Sequence, residues 1–263
     1  MHPLLMARRS ARPIGRAARV SGPDARGRSI LALIPAYEEA PRVGEVVERC
    51  RAHLPVVVID DGSTDGTAEA AEAAGATVLR QRPNQGKGAA LRVGFRYALD
   101  AGAEAVVTLD ADGQHDPSEV PLFISAWTAR HADLVVGGRD FRQMPLVRRL
   151  SNTIGGLALS WAVGEPIPDN QSGYRLVSRR LMMAMLDSRE TGFAFEVEMI
   201  AVCIRAGWPI EWVPIRTIYA GEPSHIRPLA HGREFWRAVR RARRRVRASG
   251  VGQPPSPPAS GSA

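Results

Sequence analysis

Lysine is almost missing from this chain: Lys87 is the single one among 35 basic residues, and the other 34 are arginine. Cysteine is nearly as scarce, with only Cys50 and Cys203. Both fall in apolar helical patterns without the Cys/His company of a zinc site. That excludes a disulfide scaffold and points to buried thiols in a reducing compartment. No apolar run approaches the roughly 20 residues of a membrane-spanning helix, so a spanning protein is excluded too. What remains is ordinary globular composition, 44% hydrophobic over 263 residues. A chain of that length can bury a core that needs no staple.

The net charge of +8 is unevenly laid out. Residues 1–28 hold seven Arg against Asp24, and residues 225–247 hold nine Arg against Glu234, which leaves 29–224 at −6. An acidic body between basic ends suits a protein whose ends meet an anionic surface while its body handles a metal. Residues 1–28 lack any apolar period and read as a disordered tail, as does the Pro, Ser and Gly segment from Ser249. Neither a signal peptide nor a Ser-rich transit peptide fits the N-terminal stretch. Residues 225–248 read as a basic amphipathic helix.

Between the ends, β-branched runs alternate with helical spacing. Strands are predicted over 29–34, 56–59, 76–79, 105–109 and 133–136, with helices over 43–54, 64–74 and 88–101 and one opened by Pro117. This is an α/β pattern, a mainly parallel sheet joined by crossover helices. Further on, helices are predicted over 145–163, 179–186, 195–206 and 234–246, and short strands over 174–177 and 210–219. In an open parallel sheet, ligands bind beyond the carboxyl ends of the strands. Three such ends carry polar clusters: Pro35-Ala36-Tyr37-Glu38-Glu39, Asp60 to Gly66, and Asp110-Ala111-Asp112-Gly113-Gln114.

Asp110 and Asp112 are close carboxylates that repel unless a cation or proton lies between them. Oxygen ligands of this kind suit Mg²⁺ or Mn²⁺, with Gln114 as a neutral donor. An acidic turn with Asp116 as N-cap of the next helix is the plainer alternative. Asp60 and Asp61 are more than capping needs and could accept hydrogen bonds from a base or ribose. Lys87 opens a helix after a glycine-flanked loop, where it could reach a phosphate or simply be solvated. P-loop spacing and Gly-x-Gly-x-x-Gly are both absent, which argues against an ATPase and a nicotinamide dinucleotide site.

Taken in order and at this spacing, Pro-Ala-Tyr-Glu-Glu at 35–39, Asp-Asp-Gly-Ser-Thr-Asp-Gly-Thr at 60–67, Asn-Gln-Gly-Lys-Gly at 84–88 and Asp-Ala-Asp-Gly-Gln-His at 110–115 resemble the family 2 glycosyltransferases of the GT-A type. Gly138-Arg139, residues 169–175, Phe195 to Glu198 and Ser224-His225 are similar to the dolichyl- and polyprenyl-phosphate sugar synthase branch. The resemblance spans about residues 29–235 and implies a single Rossmann-like GT-A domain. It implies that Pro35, Tyr37, Glu39 and Asp61, with Asp60 beside them, hold the nucleoside, and that Lys87 and Ala111 belong to the same nucleotide-sugar site. Asp110, Asp112 and Gln114 would bind the divalent cation. Arg139, Arg148 and Ser151 would meet the acceptor's phosphate, and Asp169 fills the acidic catalytic position with Asp112. Glu38 stands where Asn is usual. The Gln-x-x-Arg-Trp motif of processive polysaccharide synthases is absent, which argues against a polymerase.

The implied reaction is inverting, metal-dependent transfer of a hexose from a GDP-mannose or UDP-glucose type donor to a polyprenyl phosphate. It would occur at the cytoplasmic face of the membrane, with the protein bound peripherally. A lipid phosphate attacks without a general base and needs cations such as Arg139, Arg148 and Arg149. A sugar hydroxyl would need a carboxylate, Asp169 or Glu196; Asp169 could instead be a structural turn. Transfer to a soluble acceptor and a non-catalytic nucleotide-sugar or membrane-surface binder are the alternatives. The Arg-rich helix can lie on anionic headgroups, as can the 146–161 apolar stripe if it does not pack on the sheet. No recognition motif accompanies the arginines to suggest nucleic acid.

Overall fold

A computed structural model describes residues 22–23, 29–139, 146–192, 194–216, 218, 236–237, 239–244 and 246. Most of both terminal tails predicted above, and the Ser224-His225 pair, lie outside the described residues. The elements run β1 (Gly22–Pro23), β2 (Ser29–Ala36), α1 (Ala40–Arg51), β3 (Val56–Asp60), α2 (Thr67–Ala73), β4 (Thr77–Arg80), α3 (Lys87–Asp100) and β5 (Ala105–Thr108). A 3₁₀ turn at Pro117–Glu119 leads into α4 (Val120–Arg130) and β6 (Leu134–Arg139). Then come α5 (Leu146–Val163), β7 (Arg175–Ser178), α6 (Arg179–Met185), α7 (Ala194–Ala206) and β8 (Ile210–Ile215). Residues 236–246 are helical wherever they are described.

Seven strands form one sheet in the order β4-β3-β2-β5-β7-β6-β8, and β1 adds an antiparallel bridge from within the N-terminal segment, Gly22 to Ile30 and Pro23 to Ser29. All neighbours are parallel except around β7, which runs antiparallel to both β5 and β6. Successive side chains of a strand point to opposite faces, and both faces are covered here. Leu31, Leu33, Val57, Ile59 and Val106 pack against α3, α6 and α7 on one side. Ile30, Ala32, Ile34, Val56, Val58 and Val107 pack against α1, α2 and α4 on the other. That explains why the strands read as unbroken apolar runs rather than alternating ones.

The helix predicted from Thr64 begins only at Thr67. Its polar lead-in is committed elsewhere: Asp60 accepts from the Ser63 amide at 3.1 Å, and Asp65 accepts from the Ala40 amide at 3.0 Å and the Thr67 amide at 3.0 Å. Asp116 does cap its 3₁₀ turn, accepting from the Ser118 amide at 3.1 Å.

Candidate active site

Because β2, β3, β5 and β6 are mutually parallel in sense, their carboxyl ends share one edge of the sheet. This brings the 35–39, 60–66 and 110–115 clusters to the same rim and adds Arg139 from the end of β6. The reversed direction of β7 has a further effect. Its amino end, and so the 169–174 loop before it, lies at that rim as well.

Lys87, in the first turn of α3, meets Asp110 Oδ1 at 2.5 Å and Glu196 Oε1 at 2.9 Å through its ammonium. Burial alone would lower the Lys87 pKa, but the two carboxylates outweigh it and hold the group above an ordinary lysine. Burial likewise works against ionised Asp110, yet Lys87, assisted by Arg139, keeps its carboxyl low at about 2. Asp112 moves the other way, pushed up by burial and by the charge of Asp110. The Gln114 amide donates to Asp112 Oδ1 at 3.0 Å. His115 is buried, which lowers its pKa, and its Nδ1 accepts from the Asp110 amide at 3.2 Å.

Among the described residues no three His, Cys, Asp or Glu side chains gather into a metal cage. The donor set nonetheless fits Mg²⁺ or Mn²⁺, which are commonly held by one or two carboxylates plus substrate phosphates. Asp112 ionises against the charge of Asp110, and a further positive charge is what that ionised form lacks.

A second part of the rim is built around Arg139 and Asp169. The guanidinium donates to Asp169 through Nε at 2.7 Å and Nη2 at 3.0 Å, a bidentate pair. Asp169 is 1% exposed, whereas the Arg139 side chain keeps 16% of its surface. Beneath them lies Arg175, fully buried, which donates to the carbonyls of Ser172 at 2.8 Å, Asn170 at 3.3 Å and Glu196 at 2.7 Å. It staples the 170–172 loop to the start of α7. Gly173 completes the closure: a Cβ there would stand 2.6 Å from Asp110 Oδ2 and 2.7 Å from Lys87 Nζ, so any larger residue would have to displace those side chains. The sequence placed Gly173 and Arg175 within the 169–175 stretch but gave neither a role. The signal for Arg175 was present, a charge inside the apolar run predicted for 174–177.

At the β2 and β3 ends of the rim, Pro35 is buried at the end of β2 and Tyr37 is half exposed. Glu39 is tied to Arg42 at 2.7 Å. Asp60 and Asp61 are both buried, and Ala111 is buried beside Asp110. Asp61 accepts from the amides of Gln85 at 2.8 Å and Gly86 at 2.7 Å, and from the Gln81 side chain. The Gly88 amide donates to the Thr191 carbonyl at 2.7 Å. The loop's anion-seeking amides at 85, 86 and 88 are thus met inside the protein, a use the sequence pattern did not reveal. Glu38 takes a left-handed φ of 55° and accepts from the Thr64 amide at 2.9 Å. The Glu196 expected as a possible base is brought to the rim, but as the second partner of Lys87, with its Oε2 buried and without a hydrogen-bond partner. Arg148 and Ser151 lie in α5, and their side chains fall outside the described residues.

Residues 32–186 match the family model described as glycosyl transferase family 2. The chain belongs to that family and is a glycosyltransferase of GT-A fold. It is 34% identical over 201 residues to an undecaprenyl-phosphate mannosyltransferase of Micrococcus luteus, covering 71% of this chain and 82% of that protein. It is 30% identical over 203 residues to a polyprenol monophosphomannose synthase of Mycolicibacterium smegmatis, covering 70% and 76%. Among solved structures, glucosyl-3-phosphoglycerate synthase from Mycobacterium tuberculosis in complex with Mn²⁺, uridine diphosphate and phosphoglyceric acid superposes with a TM-score of 0.63 at 22% identity, covering 87% of this chain and 81% of that one. That likeness bears on the fold.

Proposed function

We propose that this protein catalyses inverting transfer of a hexose from a nucleotide sugar to the phosphate of a polyprenyl or dolichyl lipid. The observation that carries the reading is a guanidinium, Arg139, locked at the same rim as the Asp110/Asp112 pair. The names of the two polyprenyl-phosphate relatives support the same acceptor. A phosphate monoester is already anionic at neutral pH, so it needs a cation to hold it and no base to activate it.

Asp110, Asp112 and Gln114 would hold Mg²⁺ or Mn²⁺, which when bound stabilises the negative charge growing on the departing nucleoside diphosphate. Lys87 adds a fixed positive charge on the same side. Pro35, Tyr37 and Asp61 would line the nucleoside pocket, with Asp60, Glu39 and Ala111 shaping its wall. Arg139 would meet the acceptor phosphate, with Arg148 and Ser151 near it.

The acceptor is a lipid, and one surface supports a peripheral membrane contact. Ile154, Leu157 and Trp161 line one side of α5 and are 50%, 66% and 63% exposed. The guanidinium of Arg243, from the basic C-terminal helix, lies 3.6 Å from the centre of the Trp161 ring. Apolar and basic side chains side by side are what an anionic headgroup layer recognises. Among the described residues no helix is long and apolar enough to cross a membrane.

The test supplies purified protein with Mn²⁺, a polyprenyl phosphate and labelled UDP-glucose or GDP-mannose. Label entering organic-extractable lipid, and lost on adding EDTA, is expected. Nucleotide release with label only in water-soluble product overturns the lipid acceptor and moves the acceptor to a soluble phosphorylated acid or hydroxyl.

A further inference from the structure

We infer that Asp169 is a positioning residue that aims Arg139 at an anionic acceptor, and is not the base of the reaction. The inference rests on the phosphate-acceptor reading and deepens it. An ionised carboxylate offers about four lone-pair sites. At Asp169 the four are used: Oδ2 accepts from Arg139 Nε at 2.7 Å and from the Arg139 amide at 3.4 Å, and Oδ1 accepts from Arg139 Nη2 at 3.0 Å and from the Gln171 amide at 3.0 Å. A general base must point a lone pair at the proton it takes, within hydrogen-bond reach or through one water. Asp169 is 1% exposed, and its oxygens face the arginine and the backbone.

Arg139 is placed the other way round. Its side chain is the more exposed of the pair. Asp169 engages two of the five N–H donors of the guanidinium fork. Those two donors, Nε and Nη2, form one edge of the fork, so the pair fixes the guanidinium plane and its orientation, as bidentate recognition of an oxyanion requires. Asp169 is fixed in turn, because Arg175 pins the Asn170 and Ser172 carbonyls next to it. The order of support runs from Arg175 to the loop, to Asp169, to Arg139, each step through hydrogen bonds.

The chemistry needs no more. The attacking phosphate oxygen carries its own negative charge, forms the new bond to the anomeric carbon and displaces the nucleoside diphosphate, with no proton to remove. A carboxylate facing the acceptor would repel it. One whose charge is spent on Arg139 does not.

The test is a double-mutant cycle on the full chain, using Asp169→Asn, Arg139→Ala and the two together, read as kcat and acceptor KM separately. Wild-type transfer to a polyprenyl phosphate comes first, since its failure would overturn the acceptor reading and not the pairing. With that in hand, D169N is expected to raise acceptor KM about tenfold or more, with kcat within a few-fold and the pH profile unchanged in shape. Adding D169N to R139A should then change acceptor KM less than twofold, because Asp169 has nothing left to aim. A fall in kcat of about a hundredfold or more in D169N, with acceptor KM unchanged, is the signature of a lost base and would overturn the inference. So would the same fall on top of R139A, a comparison that holds even if the single variant is less stable.

Discussion

Gly173→Ala tests whether the rim is a closed constellation or a loose collection of charges. Gly173 is tied by its carbonyl, which accepts from Thr108 Oγ1 at 2.8 Å, so the loop cannot simply swing away. An alanine Cβ would stand 2.6 Å from one Asp110 oxygen, 2.7 Å from the other and 2.7 Å from Lys87 Nζ. Ordinary van der Waals contact begins at about 3.4 Å, so the carboxylate must retreat by roughly 0.8 Å. Displacements near 1 Å at a reacting centre cost on the order of a hundredfold in rate. We therefore expect kcat to fall by about 10- to 100-fold, equivalent to roughly 1.4–2.7 kcal/mol of barrier. Overpacking adds a stability loss of about 1–3 kcal/mol, visible as a lower Tm with an unchanged far-UV spectrum. Gly192→Ala serves as the control, since a Cβ there meets nothing within 4 Å. Activity of G173A within twofold of wild type, at saturating Mn²⁺ and donor, would show that Asp110 and Lys87 have slack, and would refute the argument.

Two further outcomes follow from the same geometry. Mn²⁺ with a nucleoside diphosphate should raise the Tm of the wild type through binding to the folded state alone, by as much as about 2.7 kcal/mol of stability at a hundred times Kd. Asp112→Asn should abolish both that shift and transfer while keeping the wild-type Tm in EDTA; an undiminished Mn²⁺ shift would remove Asp112 from the cation site. Arg175→Met should cost about 3 kcal/mol or more, because three buried carbonyls lose their donor at about 1–3 kcal/mol each, offset in part by the relief of burying a charge. That corresponds to a Tm lower by about 6–12 °C, and a change under 2 °C would mean the carbonyls find other partners.

What could be read in the sequence, and what could not, divides along physical lines. The strands and helices around the sheet follow from apolar period and punctuation, so Val56–Asp60 and Lys87–Asp100 lie within a residue or two of expectation. The Thr64 start failed because Asp65 accepts from the Thr67 amide, which sets the helix start three residues later, while Asp65 and Thr67 also bond sideways to residues 40 and 39. The direction of β7 was not legible, since four apolar residues look the same either way round. Yet that reversal is what carries the Asp169 loop to the rim. That the 35–39, 60–66 and 110–114 clusters share one rim followed from strand ends, which topology alone brings together, while Lys87 was read from its glycine-flanked loop and Arg139 from the family resemblance. The ion pairs of Lys87 and Arg139 were not legible. Lys87 reads as a phosphate ligand in sequence, and only tertiary structure shows that Asp110 and Glu196 hold it.

The basic C-terminal segment shows most clearly how packing reassigns a pattern. Read alone, Val239, Ala242 and Val246 among arginines make an amphipathic stripe free to lie on a membrane. In the fold all three are buried, and Ala242 and Val246 join the core cluster that contains Leu159, Phe195 and Met199. Arg241 pairs with Glu190 at 2.8 Å. The carbonyl of Glu190 accepts from Arg92 and that of Thr191 from the Gly88 amide, so this segment clasps the first turns of α3, where Lys87 begins the helix. The stripe is therefore spent on the core, and its arginines hold a segment that braces the rim. The apolar surface left outside belongs to α5, at Ile154, Leu157 and Trp161, together with Trp236. The C-terminal helix stacks Arg243 on Trp161 and, through Arg241 and Glu190, is tied to the segment that bonds the first turns of α3.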